Sequence, residues 1–311
     1  MEITQRLEQI ETIVREGKFD AACEAYLLLL DDPRLPPEAR DEVKFRLGTC
    51  FQRQGQFDKA SLHFIAVEAG ASRYPDINFL RGFCLMSARR AVAAKLYFEA
   101  AVKDHPMDPK PYYYLGEILL DEGSPKSALP LFRESVRLAP GNPTVWYYLG
   151  EACKQIEAWD KAIEAFGKAI EIDPDYAEAH FSLGTCHAER EDWNKALSSF
   201  QHAATHGRDF NDAYIQLGLC QFKLEQYAAA VTSLEKALDM EGDDYEPYLL
   251  LGDCYRAMGD GEKARECWGK VLSIDPEQPG AKKRLKKLEE SGKKAPEKKA
   301  PGKKAPSLAK E

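Results

Sequence analysis

The sequence predicts an all-α solenoid of about eight helical hairpins, closed by a capping helix and followed by a basic tail. Three observations predict it. A glycine recurs every 34 residues, an alanine and a large apolar residue recur behind it at fixed offsets, and prolines punctuate the blocks. Repeats of this length are the mark of stacked supersecondary units.

The glycines are Gly48, Gly82, Gly116, Gly150, Gly184, Gly218 and Gly252. Given the first, six more at that spacing arise by accident with a probability of about 10⁻⁷ at ordinary glycine usage. Twelve residues after each stands Ala60, Ala94, Ala128, Ala162, Ala196, Ala230 or Ala264. Four residues later follows Phe64, Phe98, Phe132, Phe166, Phe200, Leu234 or Trp268. Leucine precedes six of the seven glycines, and Arg81 stands in the other place.

Each block reads as two helices. In the block 143–176, Trp146, Leu149, Gly150 and Cys153 fall at helical spacing, as do Ala162, Ile163, Phe166, Ala169 and Ile170 after the turn at Glu157-Ala158-Trp159. Asp173-Pro174 ends the second helix, because a residue before proline is pushed out of helical geometry. Pro106, Pro140 and Pro276 hold the same place, whereas Arg208 and Gly242 replace it in the sixth and seventh blocks. Ser124-Pro125 predicts a helix start with a capping hydroxyl. Each glycine inside a helix costs about 1 kcal/mol against alanine. It is expected where a neighbouring helix comes close, and the alanine twelve residues on is the expected neighbour.

The first block is offset. Gly17, Phe19, Ala22 and Tyr26 match Gly55, Phe57, Ala60 and Phe64 after four extra residues are placed in the loop around Pro33-Arg34-Leu35-Pro36-Pro37. The expected units are 3–36, 41–74, 75–108, 109–142, 143–176, 177–210, 211–244 and 245–278. Residues 279–290 read as an amphipathic capping helix, with Ala281, Leu285 and Leu288 on its apolar stripe. Residues 291–311, a Lys-Lys-Ala-Pro repeat, have a composition that predicts disorder.

The pattern resembles the tetratricopeptide repeat (TPR) family over about nine-tenths of the chain. Trp146-x-x-Leu149-Gly150, Trp159-x-x-Ala162, Phe166, Ala169 and Pro174 fill the family's signature places in one unit. The resemblance implies a right-handed solenoid whose concave groove is lined by the first helix of each hairpin. It also implies that the groove holds partner proteins. Three residues before the glycines stand Phe45, Phe79, Tyr113, Tyr147, Phe181, Ile215 and Leu249; directly after them come Thr49, Phe83, Glu117, Glu151, Thr185, Leu219 and Asp253. The expected partner-binding set is Phe45, Phe79, Phe83, Tyr113, Glu117, Tyr147, Glu151, Lys154, Phe181, Ile215, Leu249 and Arg256. Rings would anchor a peptide or helix and carboxylates would meet its basic groups. Rings at these places also serve to pack hairpins together.

No catalytic residue, cofactor site or metal site is expected. The sequence has no phosphate-cradling glycine loop, no nucleophile elbow and no His-Glu-x-x-His. Five of its eight cysteines, Cys50, Cys84, Cys186, Cys220 and Cys254, share one slot two residues after the glycine, which suits a small core side chain. His202 and His206, with Cys186-His187 in the facing helix, are the weak case for zinc, which needs three or four converging ligands. No apolar run nears the roughly 20 residues that cross a bilayer, so a cytoplasmic protein without membrane partners is expected.

Charge is divided unevenly. Residues 279–311 carry 12 basic and 4 acidic side chains, and the preceding part carries 31 basic and 47 acidic. The tail lysines Lys293, Lys294, Lys298, Lys299, Lys303 and Lys304 give the alternative reading. In that reading the chain is a nucleic-acid-associated or self-assembling scaffold acting through its basic tail.

Overall fold

The structure is a computed structural model that describes residues 3–68, 73–207, 211–240 and 245–294, with side chains as far as 290. Among the described residues there are seventeen helices and no strand. They fall into two compact units, Met1–Pro174 and Asp175–Glu311.

Unit 1 holds five hairpins. These are α1 (Ile3–Arg15) with α2 (Phe19–Leu30), α3 (Pro37–Arg53) with α4 (Phe57–Ile65), α5 (Ile77–Ser87) with α6 (Ala91–Asp104), α7 (Pro109–Asp121) with α8 (Pro125–Leu138), and α9 (Pro143–Gln155) with α10 (Trp159–Ile172). Unit 2 holds three, α11 (Ala177–Glu189) with α12 (Trp193–His206), α13 (Asn211–Lys223) with α14 (Tyr227–Asp239), and α15 (Glu246–Ala257) with α16 (Gly261–Ile274). The last helix is α17 (Pro279–Lys294). Within unit 1 the second helix of each hairpin packs on the first helix of the next: α2 on α3, α4 on α5, α6 on α7 and α8 on α9. Within unit 2, α12 packs on α13, α14 on α15 and α16 on α17. Each unit is therefore an α-solenoid.

The repeated glycines sit in the first helices, and their neighbour is not the alanine twelve residues on. It is the large residue at sixteen. A methyl group added at Gly48, Gly82, Gly116, Gly150 or Gly184 would lie 2.5–2.9 Å from the ring of Phe64, Phe98, Phe132, Phe166 or Phe200. At Gly218 the Leu234 side chain takes that place at 2.7 Å, and at Gly252 the Trp268 indole does. Every one of these large side chains is fully buried, and the seven alanines are fully buried too.

Each hairpin turn ends its first helix with one left-handed residue. The next amide then donates back five residues, as Ser124 N–H does to the Leu119 carbonyl (2.8 Å) and Ala158 N–H to that of Cys153 (2.9 Å). This turn overrides the cap expected at Ser124. Its backbone serves the turn, and its hydroxyl makes no capping bond to α8. Caps appear instead at Asp108 and Asn142, whose side chains accept from Lys110 N–H and Thr144 N–H at 3.0 Å, in front of the prolines that open α7 and α9.

Arg81, the odd residue in the leucine slot, has a distinct task. Its guanidinium donates to the Phe64 carbonyl (3.0 Å), the Val67 carbonyl (2.6 Å) and Asn78 Oδ1 (3.0 Å). It thus adds a second donor to the Phe64 carbonyl, which Val67 N–H also reaches, and satisfies the Val67 carbonyl just past the short helix α4. Arg208 and Gly242 lie outside the described residues.

Candidate functional site

The first helices of unit 1 carry a chain of touching rings. Phe45 lies 5.7 Å from Phe64, Phe79 5.9 Å from Phe98, and Tyr147 5.8 Å from Phe166. Each such ring covers the phenyl group that occupies its own hairpin's glycine gap. Tyr114 and Tyr148 make the links between hairpins, stacking on Phe98 (5.2 Å) and Phe132 (5.9 Å) of the hairpin before. Phe83 joins Phe57, Phe79 and Tyr114 at 5.8–6.1 Å. Phe45, Phe79, Phe83, Tyr113 and Tyr147 are all half-buried, so each ring both packs and keeps an open edge. Such rings offer rigid contact area at low entropic cost.

Beside them sits a polar cluster on α7 and α9. Tyr148 Oη donates to Glu117 Oε1 at 3.4 Å, and the Tyr113 and Tyr148 rings lie 5.3 Å apart, edge to face. Burial raises the Glu117 carboxyl above the usual carboxylate range, against the downward pull of the Tyr113 and Tyr148 hydroxyls. Burial also raises both phenols, helped by the charge of Glu117. Glu117 is a carboxylate held where its charge is costly, and a partner's cation would lower that cost. One hairpin on, Glu151 accepts from Lys154 Nζ at 2.8 Å.

The expected residues in unit 2 diverge. Phe181 packs edge-on against Phe200 at 5.4 Å and is half-buried. Ile215, expected on the groove, is only 3% exposed, so it is core and offers no surface to a ligand. Leu249 is half-buried in the cluster around Trp268, and its carbonyl accepts from the indole N–H at 3.3 Å. Asp253, expected as an acidic spot, is buried and bound by the Arg284 guanidinium of α17 through bonds of 2.7, 2.8 and 3.0 Å. Arg256 is exposed. Lys293 and Lys294 close α17, their side chains beyond those described; Lys298, Lys299, Lys303 and Lys304 lie outside the described residues.

One hollow was missed in the sequence. Between α1 and α3 a cavity of about 360 Å³ is floored by Val14, Tyr26, Phe45 and Cys50. At its edge Arg46 pairs with Glu11 and, at 2.5 Å, with Glu42. It lies where the first block breaks the 34-residue register, so the period could not point to it.

Among the described residues no three His, Cys, Asp or Glu side chains are grouped so as to hold a metal ion. His202 stacks between His180 (4.9 Å) and His206 (6.2 Å), and His206 pairs with Asp175 at 3.2 Å. All eight cysteines are free and seven are buried. Burial pushes the Cys84, Cys220 and Cys254 thiols up to about 12, far from the reactive thiolate form. No helix among the described residues is long and apolar enough to cross a membrane.

Hairpins stacked second helix on first within each unit, seven of them closed by a large apolar side chain over a glycine, define a helical-repeat protein. Known proteins place it further. The profile of the TPR repeat matches residues 150–189, that of the middle TPR-like domain of cilia and flagella-associated protein 70 matches 172–275, and that of anaphase-promoting complex subunit 3 matches 87–169. The chain is a tetratricopeptide repeat protein.

No curated protein sequence matches it significantly. Solved structures do. YrrB, described as a TPR protein with an unusual peptide-binding site, is 22% identical, with a TM-score of 0.56 over 61% of this chain and 97% of its own. A TPR repeat-containing protein from Cytophaga hutchinsonii is 17% identical, with a TM-score of 0.58 over 89% of this chain and 98% of its own. The anaphase-promoting complex hetero-tetramer Cut9–Hcn1 is 17% identical, with a TM-score of 0.56 over 91% of this chain and 55% of its own. Identities this low speak for the fold alone. The fold is that of a protein-interaction scaffold.

Proposed function

We propose that this protein is a non-catalytic scaffold that grips an extended peptide or a helix of its partner on the first-helix face of unit 1. The observation that carries the reading is the cluster of Tyr113, Glu117 and Tyr148, a half-buried carboxylate among aromatic edges with its acidity shifted by burial. A lysine or arginine of the partner supplies a counter-charge for Glu117, while Tyr113, Tyr147 and Phe79 receive apolar side chains beside it. Phe45, Phe83, Glu151 and Lys154 extend the same face in unit 1. Phe181, Leu249 and Arg256 are the counterparts proposed in unit 2. The peptide-binding site of YrrB is a precedent for the fold put to this use. Eight free thiols suit a reducing compartment such as the cytoplasm.

Affinity capture with the wild-type protein identifies partners, and binding is then compared with Glu117→Gln and with Tyr113→Ala/Tyr147→Ala. The reading expects weaker binding in both variants, with the Glu117→Gln loss largest for partners with basic segments. Undiminished affinity in both variants, with circular dichroism unchanged, would reject it.

A further inference from the structure

A second surface, in unit 2, has the opposite electrostatic character. Helices α13, α15 and α17 enclose a cleft of about 360 Å³ lined by Phe222, Asp253, Arg256, Lys283, Arg284 and Lys287. Its one carboxylate is spoken for, since Asp253 is buried and takes three short bonds from Arg284. Arg256, Lys283 and Lys287 are exposed, and among the described residues no carboxylate pairs with any of them. Lys283 and Lys287 stand one helical turn apart, an arrangement of like charges that weakens a helix. The Phe222 ring, 5.6 Å from Tyr227, is half-buried and gives the cleft an apolar wall. Three cations gathered without a counter-charge around one ring are costly to the folded chain alone, and an anion with an apolar neighbour offsets that cost.

We propose that this cleft is a docking station for an acidic peptide segment of a partner protein. Its carboxylates meet Arg256, Lys283 and Lys287, and an apolar side chain between them rests on Phe222. Charge complementarity argues for that occupant. The cations form one compact group over α15 and α17, whereas a nucleic acid needs a continued track of cations to neutralise successive phosphates. The part of the chain before residue 279, with 47 acidic against 31 basic side chains, repels a long polyanion and leaves the cleft to a short one. The station shares no residue with the unit 1 face and only Arg256 with that reading's unit 2 counterparts, so Lys283→Gln/Lys287→Gln tests it separately.

Full-length protein is titrated against a fluorescein-labelled peptide of alternating Glu, Asp and Leu, its Gln/Asn/Leu counterpart, and a labelled single-stranded RNA of equal length. Anisotropy is read at low salt. Arg256→Gln and Lys283→Gln/Lys287→Gln test the cleft, with circular dichroism as the control on folding. Lys298→Glu/Lys299→Glu/Lys303→Glu/Lys304→Glu tests the tail. The acidic peptide is expected to bind, the neutral one not to, and the cleft variants to weaken binding by about tenfold together, a size in keeping with two to three exposed charge contacts. With the titration repeated at about 0.15 M salt, where the Debye length falls to about 8 Å, the tail variant is expected to change affinity by less than about twofold. No binding of the acidic peptide, equal binding of the neutral one, or loss in the tail variant alone would overturn the proposal. So would RNA binding that is tighter and equally dependent on the cleft.

Discussion

Two places attract glycine in the hairpins that keep the 34-residue register, and they do so with different force. At the helix crossing of those seven hairpins, Gly48 to Gly252, every residue is glycine; the first hairpin, outside the register, has Ile10 there. At the left-handed turn Gly17, Gly55, Gly123 and Gly259 alternate with Arg89, Glu157, Glu191 and Glu225, all at positive φ. At the crossing a methyl would strike a ring that is fully buried and has nowhere to go. At the turn a methyl meets nothing within 4 Å of Gly123, and only the backbone torsion resists. That resistance is about 1–2 kcal/mol, small enough for another residue to be carried. A contact that cannot relax enforces its residue, and a torsional cost merely biases it.

Substitutions can break or sharpen this contrast. Gly150→Ala is expected to cost the most, about 2 kcal/mol, because overpacking outweighs the helix preference of alanine. Thermal or urea unfolding followed by circular dichroism reads it. A neutral or stabilising outcome would break the steric account, and Phe166→Leu added to Gly150→Ala should recover part of the loss. Gly123→Ala is expected to cost about 1 kcal/mol, the torsional cost without a clash. Glu157→Gly relieves that torsion but adds freedom to the unfolded chain, so a gain of about 0.5 kcal/mol is expected in the same assay.

The smallest effect concerns the residue directly after the crossing glycine, which varies freely along the chain. Burial raises the Glu117 carboxyl, so the folded state binds its proton more tightly than the unfolded state does. The resulting stability is present at acid pH and is lost as pH rises through the folded value. Glu117→Gln should therefore flatten the decline in melting temperature above about pH 4, the ordinary glutamate range. Parallel curves for the two proteins would show that Glu117 titrates as it does in water.

The sequence made the helices legible because period and helix phase are both set by backbone geometry. It did not show which residue fills the glycine gap. Ala162 and Phe166 lie one turn apart on the same face, and spacing cannot choose between them. Side-chain direction can, since a long helical side chain leans toward the N-terminus and covers the turn before its own, so Phe166 reaches back over the level of Ala162. The aromatic positions were readable for the same reason as the core. Ile215 and Asp253 were not, because equivalence of position says nothing about what lies opposite. The partner of Asp253 is Arg284, 31 residues away in a helix outside the repeat pattern.

The Tyr–Phe stacks between hairpins have a consequence for how such a chain can grow or shrink. Tyr114 rests on Phe98 as Tyr148 rests on Phe132. Excising residues 109–142 would bring Tyr148 over Phe98 and recreate the joint that was removed. Duplicating the same block would add one more identical joint. The number of hairpins is thus an adjustable dimension of the protein, open to insertion and deletion by whole modules while any fractional cut destroys the fit.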